Sequence, residues 1–357
     1  MPAVSDNVWH AEDTTPSAIE AAVRQLLIER HDENAAYVPA RVLNLVCVVD
    51  REWSGEIANR LRGVGRYHAS RTVVCSVEPN RTTLDAMVTI AADAEPKPGE
   101  FVPTRETIVV TVGEQHLARL ETIVDPLVIT DLATVVWSPH GHDEAVDALL
   151  ELSQVVLVDS VDVPDPSDAI ARAQELAKEA YVVDLAWLRS VPWRERIAAT
   201  FDPVLLRRDL PIISSIYIRH HPDSTVAAAL LVGWLASRLG WEVGSLMADK
   251  RDGVLHGKAH AKRQDVEIRL VPEPGQQVRG LAGITVETAS GRHLELDRGP
   301  GGLKARYRNT GKDVEREWTV LGASRGEAGI LGEGIRQALL RDPTYGPALD
   351  AAAAMVR

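Results

Sequence analysis

Val42 to Val49 is an apolar run interrupted only by Asn44, the pattern of a strand covered on both faces. Ahead of it, Ile19, Val23, Leu26 and Leu27 recur at helical spacing from Ser17 to Arg30. Behind it come a helix-like stretch, Ser54 to Leu61, and a second strand, Thr72 to Val77. Strand, helix, strand favours a parallel pair joined by a right-handed crossover. Leu84 to Ala91 and Thr107 to Val112 read as further strands. Ala133 to Trp137 and Val155 to Val158 read as another pair, with a helix from Asp143 to Leu152 between them. The Pro/Asp-rich VDVPDPSDA leads into a helix ending near Tyr181. Residues 1–14 are polar and expected to be flexible, and 15–182 are expected to form an open, mostly parallel α/β sheet with helices.

The second half has a different rhythm. Residues 183–209 read as a helical connector, followed by an apolar strand from Leu210 to Ile218. A helix is bounded by Pro222-Asp223-Ser224 at its start and Gly240 at its end, with Val226, Leu230, Trp234 and Leu235 as its stripe. After Trp241 the period becomes two. Val266, Ile268 and Leu270 alternate with Glu267 and Arg269, and Leu303, Ala305 and Tyr307 alternate with Lys304, Arg306 and Arg308. Turn signals at Ser290-Gly291, Pro300-Gly301-Gly302 and Thr310-Gly311 separate such runs. This predicts an antiparallel meander with one charged face. A capping box at Ser324 and Glu327 opens a helix whose apolar face, Ile330, Leu331, Ile335, Ala338 and Leu339, is expected to cover the meander. A short Ala-rich helix follows. Residues 210–357 are therefore expected to be an α+β domain with an antiparallel sheet packed on helices.

A length of 357 residues fits two domains. With 39 basic against 51 acidic side chains the formal charge is −12, which disfavours nucleic acid and anionic membranes as partners. The longest apolar run, Val226 to Ala236, is short of the roughly 20 residues a membrane span needs. The first residues lack the basic and apolar regions of a signal peptide, so a cytoplasmic location is expected. Two cysteines supply no disulfide framework.

Catalytic motifs are sparse. The first strand turns into its helix through Val49-Asp50-Arg51-Glu52-Trp53-Ser54-Gly55, where a dinucleotide fingerprint would need glycines and would not tolerate the acids. The GxG at Gly63–Gly65 falls after the helix, and Gly257-Lys258 continues as Ala259, outside a phosphate-loop pattern. His140 and His142 flank Gly141 beside Asp143 and Glu144; His220 and His221 are adjacent; His256 and His260 share a polar strand face. No zinc spacing emerges, and acids in a helix's first turn complement its dipole without a metal. No metal and no cofactor are expected. Cys47 and Cys75 each fall within a predicted strand, fit a buried, inert role, and by their offsets from Arg41 and Arg71 could be neighbours across the sheet.

Two segments stand out as surfaces. In DLAWLRSVPWR, Asp184, Trp187, Arg189, Trp193 and Arg194 combine the residue types most common at interface hot spots. They equally fit core plugs with the arginines paired to buried acids. The tryptophans suit the core reading better, and for Arg189 and Arg194 both readings stay open. The second segment is the polar meander face, where Lys304, Arg306 and Arg308 are flanked by Glu287, Glu295, Glu315 and Glu317. Charge there can orient a partner, or simply solvate an exposed sheet.

The segments RVLNLVCVVD, HASRTVVCSVEP, VVDLAWLRSVPWRERIAATFD and HPDSTVAAALLVGWLASRLGW together resemble the OpcA family, the glucose-6-phosphate dehydrogenase assembly proteins of actinobacteria and cyanobacteria. The resemblance runs from about residue 15 to 345, with DLAW…PWR and GWLASRLGW its specific parts and VVWSP a supporting one. It implies a non-catalytic protein that binds and activates glucose-6-phosphate dehydrogenase, supporting NADPH supply through the oxidative pentose phosphate pathway. One departure is His68-Ala69-Ser70-Arg71, where family members often have a proline before the serine. Thioredoxin-linked activation, known in photosynthetic members, finds no support around Cys47 and Cys75. Two other functions stay open: a nucleotide- or sugar-phosphate-binding enzyme using the strand ends near Asp50 and Trp137, and a sensor closing on a small ligand.

Overall fold

The computed structural model describes residues 6–64, 69–249, 251–262, 264–311, 314–321 and 326–357. It divides into two compact units. The first comprises Met1–Val158, Glu179–Val183 and Leu331–Leu340; the second comprises Asp159–Lys178, Asp184–Ile330 and Arg341–Arg357.

The chain opens with β1 (Asn7–Ala11), α1 (Pro16–Glu33), β2 (Tyr37–Pro39) and β3 (Leu43–Asp50). Then come α2 (Ser54–Val64), β4 (Ser70–Val77), β5 (Asp85–Ala92) and β6 (Val102–Val112). They are followed by α3 (Glu121–Val124), β7 (Thr134–Trp137), α4 (Asp143–Ala148), β8 (Val155–Val158), α5 (Pro166–Glu179) and β9 (Tyr181–Asp184). The strands form one sheet in the order β1-β5-β6-β4-β3-β7-β8-β9, with β2 beside β6. β3 lies at its centre, parallel to both β4 and β7, and its run Leu43–Val49 is buried throughout. The apolar run thus reflects cover on both faces. Arg41 and Arg71, which lead into β3 and β4, both reach the buried Glu106 carboxylate of β6.

The N-terminal residues expected to be flexible do not all fray. Asn7–Ala11 adds to the sheet as β1, antiparallel to β5, and Asn7 accepts a hydrogen bond from Arg30 on α1. The segment is too short and too polar to announce itself; the backbone ladder of β5 recruits it.

The second unit continues with α6 (Leu185–Arg189), α7 (Val191–Phe201), α8 (Val204–Arg207) and β10 (Ile213–His220). Next are α9 (Thr225–Leu239), β11 (Glu242–Val243), β12 (Met247–Ala248), β13 (Leu255–Ala261) and β14 (Gln264–Pro272). The meander follows as β15 (Leu281–Thr288), β16 (Arg292–Gly299), β17 (Gly302–Asn309) and β18 (Val314–Leu321), and the chain ends in α10 (Gly326–Ala338) and α11 (Tyr345–Met355). The sheet order is β11-β13-β14-β10-β15-β16-β17-β18, with β12 beside β13. β10 pairs parallel with β14 and antiparallel with β15, so one strand interrupts an otherwise antiparallel array. The strand expected from Leu210 starts at Ile213, because Pro211 sits in a tight turn of helix, Leu210–Ile212, ahead of it.

Helix α9 is apolar all round and buried from Val226 to Gly233, as a central helix must be. Gly233 permits close contact with α11: a Cβ there would stand 2.2 Å from the Ala348 carbonyl oxygen. Gly240 closes α9 in the left-handed conformation, φ +68°. Ser324, half of the expected capping box, lies outside the described residues. Leu339 lies beyond the end of α10 and is exposed, whereas Ile330, Leu331, Ile335 and Ala338 are buried. Among the described residues no helix is long and apolar enough to cross a membrane.

Candidate functional site

Asp184 ends β9 and caps α6, accepting from the Ala186 amide at 2.9 Å. Asp is a favoured cap because its carboxylate satisfies an amide that the first helical turn leaves free. The same carboxylate accepts from the Ser160 amide at 3.2 Å, from the Ser160 hydroxyl, and from Tyr345 Oη at 3.2 Å. Burial, with the neighbouring charge of Asp159, pushes its pKa up to about 6.

Trp187 is buried, and its Nε1–H donates to Asp342 at 2.8 Å. The Arg194 guanidinium lies 3.6 Å from the Trp187 ring centroid and 3.7 Å from the Asp342 carboxylate. Its Nε donates to Ser190 Oγ at 3.0 Å, and burial lowers its pKa to about 10. Burial works to raise the Asp342 carboxyl, but hydrogen bonds from Thr344 and Trp187 outweigh it and hold the group below the usual range. Arg189 forms a bidentate pair with Asp159, two contacts of 2.7 Å, and Trp193 is buried. The connector residues singled out in the sequence thus bond inward, within the second unit. Their partners, Asp159, Asp342 and Tyr345, carry no local sequence signal, because each belongs to a distant segment.

The meander face is open. Lys304 and Arg308 are exposed on β17, and between them Arg306 reaches Glu295 at 3.3 Å, Glu315 at 3.5 Å and Glu317 at 3.8 Å. Strand registry lines these residues into rows. Tyr217, Thr285, Glu295, Arg306 and Glu317 stand across β10 and β15 to β18. Ser215, Glu287, His293, Arg308 and Glu315 form the row beside them. Lys304, in register with Asp297 and Thr319, and Arg308, in register with His293 and Glu315, project as exposed basic tips beside the Arg306 cluster.

A third cluster sits at the C-terminal ends of β3 and β7. His142 Nε2 lies 2.9 Å from Asp50 Oδ1, and His140 Nδ1 accepts from the Asp50 amide at 3.0 Å. Burial lowers the His140 pKa, matching its role as an acceptor. Trp53 packs at 6.2 Å from the His140 ring. The histidines are therefore tied to Asp50 rather than solvated in a loop. Among the described residues no group of three or more His, Cys, Asp or Glu is placed to hold a metal ion. Cys47 and Cys75 are buried, one register step apart on β3 and β4; burial raises both thiols, Cys75 up to about 12. His256 and His260 are exposed on one face of β13.

The fold defines a two-unit protein, one unit an α/β layer on a mostly parallel sheet and the other a mostly antiparallel sheet with helices. The chain is similar in fold to KijD10, a 3-ketoreductase from Actinomadura kijaniata solved with NADP and TDP-benzene. The match has a TM-score of 0.50 and 13% identity, and covers 87% of this chain and 95% of that one. Two family models match the chain, both describing domains of a glucose-6-phosphate dehydrogenase subunit: the C-terminal domain over residues 180–349 and the N-terminal domain over 62–175. The chain belongs to this OpcA family of glucose-6-phosphate dehydrogenase subunits. It is 29% identical over 185 residues to the OxPP cycle protein OpcA of Synechococcus elongatus, covering 51% of this chain and 40% of the relative. It is 32% identical over 129 residues to the OpcA of Synechocystis sp., covering 35% and 27%. Each matched stretch is less than half of the relative's own length.

Proposed function

We propose that this chain is a non-catalytic, cytoplasmic binding protein that assembles or allosterically activates glucose-6-phosphate dehydrogenase, and so supports NADPH supply through the oxidative pentose phosphate pathway. The observation that carries the reading is the pair of family matches, which between them span most of residues 62–349. The connector fits this reading, since Asp184, Arg189 and Arg194 are held by internal partners. An activator must bind the active form of its target more tightly than the inactive form, because equal affinity shifts no equilibrium. A tenfold activation corresponds to about 1.4 kcal/mol of differential binding. Lys304, Arg306 and Arg308 supply the contact surface in this reading. The exposed tips set the approach and on-rate, while Arg306 stays locked to its glutamates.

The test is NADP reduction by the same organism's glucose-6-phosphate dehydrogenase with and without this chain, across substrate concentration. The expected result is a saturable rise in rate or fall in apparent Michaelis constant. No change, together with no co-elution of the two proteins, overturns the proposal.

A further inference from the structure

In an open α/β sheet, ligands settle outside the C-terminal ends of the strands where the strand order reverses. Here the order reverses between β3 and β7, because β4 and β6 extend the sheet on one side of β3 and β7 and β8 on the other. The His140, His142, Asp50 and Trp53 cluster stands at that point. Two features make it unsuited to phosphate. The Asp50 amide, which a strand end would offer to an anion, is already donated to His140 Nδ1 at 3.0 Å. Three carboxylates stand at the rim, Asp50 with the exposed Glu52 and Glu56, Glu56 being paired with Arg60. The nearby Arg51 acts on Asp85.

What the cluster does offer is an indole and a carboxylate that both approach the His140 ring. Trp53 is 44% exposed, as is the Asp50 side chain. His142 holds Asp50 Oδ1, while Oδ2 lies 3.6 Å from His140 Nδ1 and receives no hydrogen bond among the described residues. A planar cation that stacks on an aromatic face and donates to a carboxylate is a guanidinium. We propose that this strand-end site is a receptor for an arginine side chain of the partner protein. The identity of the partner rests on the function proposed above; the chemistry of the site does not.

The experiment titrates the full chain with a short glycine–arginine peptide, with its glycine–lysine and glycine–glutamate counterparts, and with NADP, by calorimetry. The expected result is saturable binding of the arginine peptide, weaker binding of the lysine peptide, and none of the glutamate peptide or NADP. Asp50→Asn and Trp53→Ala should each weaken the arginine peptide at least tenfold while leaving the melting temperature unchanged. Asp50→Asn should also weaken the dehydrogenase complex at least tenfold. Unchanged peptide binding in either variant, an unaltered complex, or saturable NADP binding displaced by the peptide overturns the inference. Loss of activation by the wild-type chain with the peptide result intact counts against the function alone.

Discussion

The Trp187 indole N–H donates to the carboxylate of Asp342, 155 residues later in the chain, at 2.8 Å. Through this bond the DLAW motif is tied to the segment joining α10 and α11, and Arg194 stacks on the indole ring that makes it. Trp187→Phe should therefore cost more than its lost area. It removes one hydrogen bond to the half-buried Asp342 carboxylate and weakens the cation–π contact, together about 1–2 kcal/mol. Urea unfolding checks this. In a double-mutant cycle with Asp342→Asn, the coupling should exceed about 0.5 kcal/mol.

Arg189 and Asp159 form a closed pair with both side chains nearly buried. Arg189→Met removes the guanidinium that pairs with the Asp159 carboxylate, which should cost about 3–5 kcal/mol. Adding Asp159→Asn should recover much of it. A loss equal in the single and double variants would show that Arg189 matters through its packing and not its charge.

Two glycines on α9 separate crowding from backbone strain. Gly233→Ala drives a methyl into the Ala348 carbonyl and should destabilise by about 1–3 kcal/mol or more. Gly240→Ala meets no atom within 4 Å and suffers only its positive φ, so about 1 kcal/mol is expected. Denaturation midpoints of the two variants should keep that order.

Asp184 makes stability depend on pH. Its folded pKa, about 6, lies above its unfolded value, so the folded state holds the proton more tightly. The contribution is fully present below about pH 4 and is lost as pH rises through about 6. Asp184→Asn keeps the cap through its amide oxygen, reverses the two hydroxyl contacts so that its NH2 donates, and does not titrate. Relative to this variant, the wild type should lose about 2–3 kcal/mol between pH 4 and pH 7. Parallel profiles for the two proteins would show that Asp184 is not the titrating group.

On the sheet face, Lys304→Glu with Arg308→Glu reverses the two projecting tips and leaves Arg306 with its glutamates. Activation of the dehydrogenase should fall, chiefly through a slower association rate at low salt, while the melting temperature moves by less than about 2 °C. Unchanged activation would remove this face from the argument.

The sequence revealed faces better than neighbours. Alternation placed Lys304, Arg306 and Arg308 together on the polar side of β17, and Gly240 marked the end of α9, because both signals are local. It could not reveal that β10 lies between β14 and β15, since a period of two assigns a face but no partner. Nor could it couple Asp50 to His142 or Trp187 to Asp342, where the chain between the two residues holds no trace of their meeting. β1 escaped notice for the opposite reason: five weakly apolar residues become a strand only because β5 offers an edge.

The position of β10 also orders events during synthesis. It leaves the ribosome before either flanking strand, and about forty more residues must be made before β14 begins at Gln264. Through that interval both of its hydrogen-bonding edges are bare, with only the greasy α9 behind it for shelter. Sheet closure then joins strands from distant parts of the chain, the slow kind of contact to form. The second unit thus keeps a strand destined for neighbours on both sides waiting without either, and chaperone dependence of the newborn chain would show itself there.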